Sequence, residues 1–137
     1  FVITFEELAA MFDAREIDFS NYEGDEFEAE ATGAGRGYAC AGGVAAAIES
    51  CINEYYPDVQ VKIEHADGLE ECKKMLMLAK AGKKNGCLIE GMGCPGGCVA
   101  GAGTCISVAK ATDSVKKLVA GTEKRIPEKE LSEIELP

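Results

Sequence analysis

The chain has 137 residues and a mass of 14.5 kDa, the size of a single folded unit. Acidic residues outnumber basic residues by 24 to 14, and the formal net charge of -10 opposes binding to phosphate backbones and anionic lipid headgroups. We therefore expect neither a nucleic acid nor a membrane as a partner. The longest uncharged stretch, residues 91–109, contains six glycines and a proline, which a lipid-exposed helix tolerates poorly.

The beginning of the chain and its cysteines bear on its origin and compartment. Phe1 takes the place of an initiator methionine, and no basic or apolar signal segment follows it, so we expect the chain to be a piece of a longer protein. Seven cysteines without a secretory signal favour reduced thiols or metal ligands over a disulfide framework. These features predict a cytoplasmic location.

The first predicted element is a short amphipathic helix. Thr4 and Glu7 form a capping-box pattern ahead of apolar residues at helical spacing, and we expect the helix to end near Ala14. Residues 18–30 carry six acids and no base, which predicts a solvated acidic loop.

The middle of the chain predicts a helix, a strand and a second helix. The first of these helices begins just after the Gly42-Gly43 pair and is closed by Pro57. Apolar and polar residues alternate over 59–64, as is typical of a strand. Asp67 and Glu70 then form a second capping-box pattern, and the helix they open should end near Gly82.

The remaining elements predict an α/β fold with a small parallel or mixed sheet and flanking helices. Residues 87–89 form an apolar strand, and a strand-helix-strand order of this length favours parallel pairing. A last helix should run from Val108 towards Gly121. We therefore expect one unit over residues 1–121, followed by a charged, mobile tail over residues 122–137.

Two cysteines in a glycine-rich loop are the strongest chemical signal. Cys94 and Cys98 follow the second strand at the edge where open α/β sheets collect ligands. Two thiolates in such a loop can coordinate iron or zinc, although the pair is also compatible with two buried structural thiols. Another glycine-rich segment, residues 32–43, can form the opposing wall of a cofactor pocket, or its glycines can simply serve turns and a helix start.

The other candidate residues favour structural roles. Cys51, Cys72 and Cys87 lie in apolar patterns and are interpreted as small core residues. The single histidine, His65, has no partner at a recognisable metal spacing, which favours a loop or capping role. For Cys40 and Cys105, which lie in glycine-rich segments, a ligand or redox role stays open. The glycines of residues 33–37 lack the lysine and hydroxyl residue of a nucleotide-binding loop, so nucleotide binding is rejected.

The cysteine loop resembles a motif of a known family. It reads Glu90-Gly91-Met92-Gly93-Cys94-Pro95-Gly96-Gly97-Cys98-Val99-Ala100-Gly101. This is similar to the third cluster-binding motif of iron-only hydrogenases, E-x-M-x-C-x-x-G-C-x-x-G-G-G-x-P. Residues 32–35 and 41–44 are similar to two glycine-containing elements of that family, and residues 1–19 resemble the segment that follows its second cysteine motif. The resemblance covers most of the chain and weakens in the tail.

The resemblance implies a lobe of a hydrogenase catalytic domain and a cofactor for the intact parent. In that family a four-iron, four-sulfur cubane is joined through a cysteine sulfur to a two-iron subsite, where hydrogen is reversibly oxidised to protons and electrons. By resemblance, Cys94 ligates the cubane, and Cys98 ligates it and bridges to the two-iron subsite. The resemblance places these further residues beside the cofactor: Met92, Gly93, Gly97, Tyr38 and Gly42.

Departures from the family pattern keep other functions open. Ala102, Thr104 and Cys105 replace a glycine, a glutamine and a proline of the pattern. These substitutions keep open two alternative hypotheses, in which the parent is a hydrogen sensor or a non-catalytic iron-sulfur binding module. The family's first two cysteine motifs are expected before Phe1, so the resemblance implies that the isolated chain is inactive and either apo or partially loaded. Its implied partners are the N-terminal remainder of the parent, a ferredoxin-like electron carrier, hydrogen and protons.

Overall fold

The computed structural model describes residues 1–24 and 31–128, which form five α-helices and two strands. These are α1 (Phe5–Ala14), α2 (Gly33–Arg36), α3 (Gly43–Tyr55), β1 (Lys62–Asp67), α4 (Leu69–Lys80), β2 (Cys87–Met92) and α5 (Val108–Ala120). Short 3-10 helices occupy Phe19–Asn21, Gly37–Ala39 and Cys98–Ala100. The predicted acidic loop lies outside the described residues over 25–30, and so does the predicted tail over 129–137.

The two strands confirm the predicted α/β class. β1 and β2 pair in parallel, with a register that runs from Lys62 opposite Cys87 to Asp67 opposite Met92. Helix α4 connects them, as the strand-helix-strand pattern predicts. The carboxyl ends of both strands therefore meet at one edge of the sheet, and the cysteine loop leaves β2 at that edge.

The predicted strand over residues 59–64 is displaced from the observed one. β1 begins at Lys62 and ends at Asp67, because its partner β2 extends to Met92 and supplies hydrogen bonds along this whole length. Val59 lies before the sheet, and its N–H donates to the carbonyl of Tyr56 at 2.9 Å in a turn. The alternating pattern thus detected a strand but misplaced it by three residues.

One of the two predicted capping boxes is present. In α1 the side chain of Thr4 accepts from the N–H of Glu7, and the Glu7 carboxylate accepts from the N–H of Thr4. The second prediction, Asp67 with Glu70, is wrong. Gly68 occupies the N-cap of α4 without a side-chain cap, because Asp67 is the last residue of β1 and its carboxylate bonds elsewhere.

The sheet lies between two helices. Consecutive residues of a strand point to opposite faces, and in β2 the Glu90 side chain reaches the first turn of α3. On the other face, a Cβ placed on Gly91 would be 3.1 Å from the Sγ of Cys72 in α4. Helices α3 and α4 therefore cover opposite faces of the β1–β2 pair.

The core of the described residues is small. Its buried hydrophobic side chains are those of Ala45, Ala47, Ala66 and Val99. The predicted core cysteines Cys51, Cys72 and Cys87 are only half-buried. Several large apolar side chains that helical periodicity assigned to inner faces are instead exposed, among them Phe5, Met11, Leu69, Leu76 and Leu118. The two-stranded sheet is too narrow to cover the apolar faces of all the helices.

Residues 122–128 are bonded to the first part of the fold. The carbonyls of Lys124 and Arg125 accept hydrogen bonds of 2.8 and 2.9 Å from the N–H groups of Gly33 and Ala34, in the first turn of α2. The hydroxyl of Tyr55, at the end of α3, donates to the carbonyl of Pro127. This segment therefore connects α2 and α3 with the end of α5.

Candidate cofactor site

The loop between Cys94 and Cys98 is a tight turn at the carboxyl edge of the sheet. The N–H of Gly97 donates to the carbonyl of Cys94 at 2.9 Å, and Cys98 then begins a short 3-10 helix. The side chains of Cys94 and Cys98 are exposed, whereas Cys40, Cys51, Cys72 and Cys87 are half-buried. The loop thus presents two accessible thiols, and a hydrogen bond within the loop closes the backbone between them.

The second glycine-rich segment contacts this loop directly. The N–H of Ala41 donates to the carbonyl of Gly96 at 3.0 Å. Gly97 is buried with φ 92°, and a Cβ on it would lie 2.5 Å from the backbone nitrogen of Ala41. Only glycine allows so close an approach at this backbone conformation. The predicted proximity of the two glycine-rich segments is therefore observed, and we call residues 37–43 the glycine wall.

The glycine wall is itself tightly folded. A Cβ on Gly43 would overlap the carbonyl oxygen of Gly37, and the N–H of Gly43 donates to the carbonyl of Cys40. Gly42 has a φ of 85° and is the N-cap residue of α3. The end of the wall therefore packs against its beginning, and α3 starts at its last residue.

Glu90 attaches this wall to the sheet. Its Oε1 accepts hydrogen bonds from the N–H groups of Val44 and Ala45 at 3.0 and 3.4 Å, and its Oε2 lies 3.0 Å from the Nδ1 of His65. The Glu90 carboxylate is buried, with a relative side-chain exposure of 7%, and it satisfies free N–H groups at the positive end of α3. No local pattern could indicate this role, because Glu90 lies 46 positions from Val44.

His65 is part of the sheet and not of a loop, contrary to the prediction. It lies within β1, opposite Glu90 in the strand register, so the two side chains share one face. Half of the His65 side chain is exposed. The imidazole therefore lies between solvent and the buried carboxylate and fixes the second oxygen of Glu90.

Asp67 is a further acidic side chain at this edge, and the sequence pattern predicted its role incorrectly. Its two carboxylate oxygens lie 2.9 and 3.1 Å from the backbone nitrogen of Gly96, between the two cysteines. The backbone of Gly96 is thus held at its N–H by Asp67 and at its carbonyl by Ala41. A hydrogen bond across 29 positions carries no spacing signal, and the predicted strand ended three residues before Asp67.

The remaining predicted site residues surround the same edge. Met92 is half-buried at the end of β2, and Gly93 is exposed next to Leu69. Tyr38, in the glycine wall, is 47% exposed. Met92 therefore leads into the loop that carries Gly93 and the two cysteines, and this loop contacts the segment that carries Tyr38 and Gly42.

An apolar cavity of about 440 Å³ adjoins the cysteine loop. Its lining includes Cys98, Val99, Cys105, Ile106 and Phe5. Cys105 is exposed, and its Sγ lies 3.8 Å from the carbonyl oxygen of Gly103. Cys98 and Cys105 therefore open onto the same apolar space, although seven positions separate them.

The cysteine pair does not complete a metal site within residues 1–24 and 31–128. In these ranges no three His, Cys, Asp or Glu side chains are grouped closely enough to hold a metal ion. None of the helices in the same ranges combines the length and apolar composition needed to cross a bilayer. Cys94 and Cys98 are therefore a pair without a third such side chain grouped beside them in these ranges.

Comparison with known proteins gives one family match. Residues 1–102 match the model of the family described as iron only hydrogenase large subunit, C-terminal domain. The match includes α1, the glycine wall, both strands and the whole Cys94–Cys98 loop. No match was found among curated proteins.

Proposed function

Because the chain belongs to the family formed by the C-terminal domain of the iron-only hydrogenase large subunit, we propose that it forms one wall of a hydrogenase cofactor pocket. In the intact parent this pocket serves the reversible oxidation of hydrogen to protons and electrons. The observation that carries the proposal is the Cys94–Cys98 loop, which presents two exposed thiols beside the glycine wall.

The residues at this edge fit an iron-sulfur group. Thiolate sulfur is the ligand that iron-sulfur clusters take from proteins, and Cys94 and Cys98 are accessible. The loop backbone is hydrogen-bonded within the protein through Gly96 and Gly97. An accessible pair of thiols on a fixed backbone is suited to ligation.

The roles of the individual residues follow the family pattern. We propose that Cys94 ligates a four-iron, four-sulfur cubane and that Cys98 ligates it and bridges to a di-iron subsite. When bound, this group supplies the redox chemistry of hydrogen. Met92, Gly93, Gly97 and Gly42 would lie beside it, and Tyr38 would add a hydroxyl where the family usually has a phenylalanine. The protein's contribution is ligation, orientation and the exclusion of water.

We propose that the chain works with the remainder of its parent and with an electron carrier. The N-terminal remainder of the parent supplies the missing cysteines and covers exposed apolar side chains such as Phe5 and Leu76. A ferredoxin-like carrier exchanges electrons with the parent, and hydrogen and protons are its small substrates. We propose a cytoplasmic location for this protein.

The main alternative is a hydrogen-sensing or non-catalytic iron-sulfur parent. Cys105, in place of the family's proline, shares an apolar cavity with the proposed bridging ligand Cys98. A substitution so close to a ligand favours altered chemistry at the same site. In this alternative Cys94 and Cys98 are still ligands, but the parent does not turn over hydrogen rapidly.

The test uses the anaerobically prepared parent holoprotein. We expect infrared bands of metal-bound carbonyl and cyanide together with hydrogen uptake, and we expect Cys94→Ser and Cys98→Ser to lose both. Cys51→Ser, which alters a half-buried thiol of α3, is the matched control and should retain them. The bands with very low turnover would favour sensing, and bound iron without the bands would favour the non-catalytic module.

The isolated chain should be inactive. Two thiolates are half of the ligands that a cubane takes, so anaerobic reconstitution with iron and sulfide should give an apo or partially loaded protein. A complete, oxygen-sensitive hydrogenase spectrum from this chain alone would contradict the expectation.

A further inference from the structure

We propose that Asp67 is the positioning residue of the cysteine loop, acting through the backbone of Gly96 between Cys94 and Cys98. This inference rests on the proposed function of the two cysteines as ligands. The Asp67 carboxylate bonds to the loop backbone between the two thiols. Its role is to fix the loop that presents them.

The contact is a charge-assisted hydrogen bond. Oδ1 and Oδ2 of Asp67 lie 2.9 and 3.1 Å from the nitrogen of Gly96, so the N–H group points between the two oxygens. A carboxylate that accepts from a backbone N–H binds it more strongly than a neutral acceptor does. This bond joins the end of β1 to the loop that follows β2.

Neighbouring contacts extend this attachment. The N–H of Gly68 donates to the carbonyl of Met92 at 2.8 Å, and a Cβ on Gly68 would lie 3.4 Å from the Cγ of Pro95. Gly68 has a φ of 96°, which favours glycine. The Asp67-Gly68 pair therefore contacts this part of the chain at Met92 and at Gly96, and the carboxylate of Asp67 supplies the charged contact of the two.

The bond also links the loop to the glycine wall. The carbonyl of Gly96 accepts from the N–H of Ala41, so both ends of this backbone unit are engaged. Without Asp67 the Gly96 N–H would lose its partner, and the loop could rotate about its contact with Ala41. The two cysteines on either side of Gly96 would then sample more orientations, and a bound metal group would be held less firmly.

Two variants separate the hydrogen bond from its charge. Asp67→Ala removes the acceptor, whereas Asp67→Asn keeps an oxygen that can accept from Gly96. Asp58→Ala is the matched control, because Asp58 is an exposed acid between α3 and β1, outside the cysteine loop. All three variants and the native sequence are prepared anaerobically in the parent holoprotein.

The first readout is the rate at which a chelator removes iron from the holoprotein. We expect Asp67→Ala to lose iron about five- to tenfold faster than the native protein, as the loss of one charge-assisted hydrogen bond implies. Asp67→Asn should recover most of this difference, and Asp58→Ala should match the native protein. Equal rates for Asp67→Ala and the native protein would overturn the proposal.

The second readout does not depend on the cofactor. Amide hydrogen exchange of Gly96 in the metal-free protein should be about five- to tenfold faster in Asp67→Ala than in Asp67→Asn or the native sequence. If the native protein binds no iron but this difference is present, the proposed function fails while the positioning role of Asp67 stands. Equal exchange in all variants would refute the positioning role whatever the iron content.

Discussion

The Oε1 of Glu90 accepts a hydrogen bond of 3.0 Å from the N–H of Val44, and so the first residue of the cysteine motif caps the helix that follows the glycine wall. Glu90→Ala would leave the first N–H groups of α3 without their acceptor and His65 without its partner. We expect the free energy of unfolding to fall by about 2 to 3 kcal/mol, measured by urea denaturation.

The matched control for this variant lies on the same helix. Glu49 is exposed on α3, so Glu49→Ala should change the free energy of unfolding by less than about 0.5 kcal/mol. Glu90→Gln keeps one acceptor oxygen and should fall between the two. Equal stabilities for Glu90→Ala and Glu49→Ala would mean that the cap contributes nothing.

Gly43 is expected to tolerate no side chain. A Cβ there would overlap the Gly37 carbonyl oxygen, so Gly43→Ala must displace the glycine wall and should destabilise the protein by about 1 to 3 kcal/mol. Gly24→Ala is the control, since no described residue other than its chain neighbours comes within 4 Å of a Cβ at that position. Thermal unfolding of the two variants side by side would reveal the difference, and a Gly43→Ala protein as stable as Gly24→Ala would contradict the close approach.

Residues 122–128 should contribute to stability, because two of their carbonyls accept from the first turn of α2. A chain that ends at Gly121 loses the bonds of Lys124 and Arg125 to Gly33 and Ala34, and we expect faster amide exchange in α2. A chain that ends at Glu128 keeps these bonds and is the matched control. Identical exchange in the two truncated chains would show that the segment is dispensable.

Acid should remove the contribution of the Lys84–Glu64 ion pair to the free energy of unfolding. Lys84, 2.8 Å from Glu64, and then Lys62 hold the pKa of the Glu64 carboxyl below its ordinary value of 4.5. Because the pKa is lowered in the folded protein, the stabilising contribution is complete above pH 4.5 and is lost as the pH falls through the lowered pKa.

A substitution tests this assignment. Lys84→Met should raise the pKa of Glu64 towards its ordinary value, as followed by an NMR titration of the carboxyl group. Lys116→Met, on α5, is the control and should leave this pKa unchanged. If Lys84→Met left it unchanged as well, the ion pair would not be the main cause of the shift.

Local patterns were sufficient for most of the helices and for the position of the cysteine loop. The capping box of Thr4 and Glu7 acts over three residues, and the glycines before α3 and after α4 act at the helix ends themselves. Such signals depend on neighbours in the chain. The sequence by itself therefore determined the order of the elements other than α2, the parallel strands and the two thiols beyond β2.

The tertiary structure alone decided how the site is held. From the sequence, Glu90 had no assigned structural role, and in the structure it caps α3. Asp67 was predicted to cap a helix, and in the structure it accepts a hydrogen bond from the N–H of Gly96. Their partners lie 46 and 29 positions away, and a hydrogen bond at that separation leaves no periodic trace in the sequence. Only when the strands pair do these carboxylates meet the N–H groups that need them, because the pairing brings the ends of β1 and β2 to one edge.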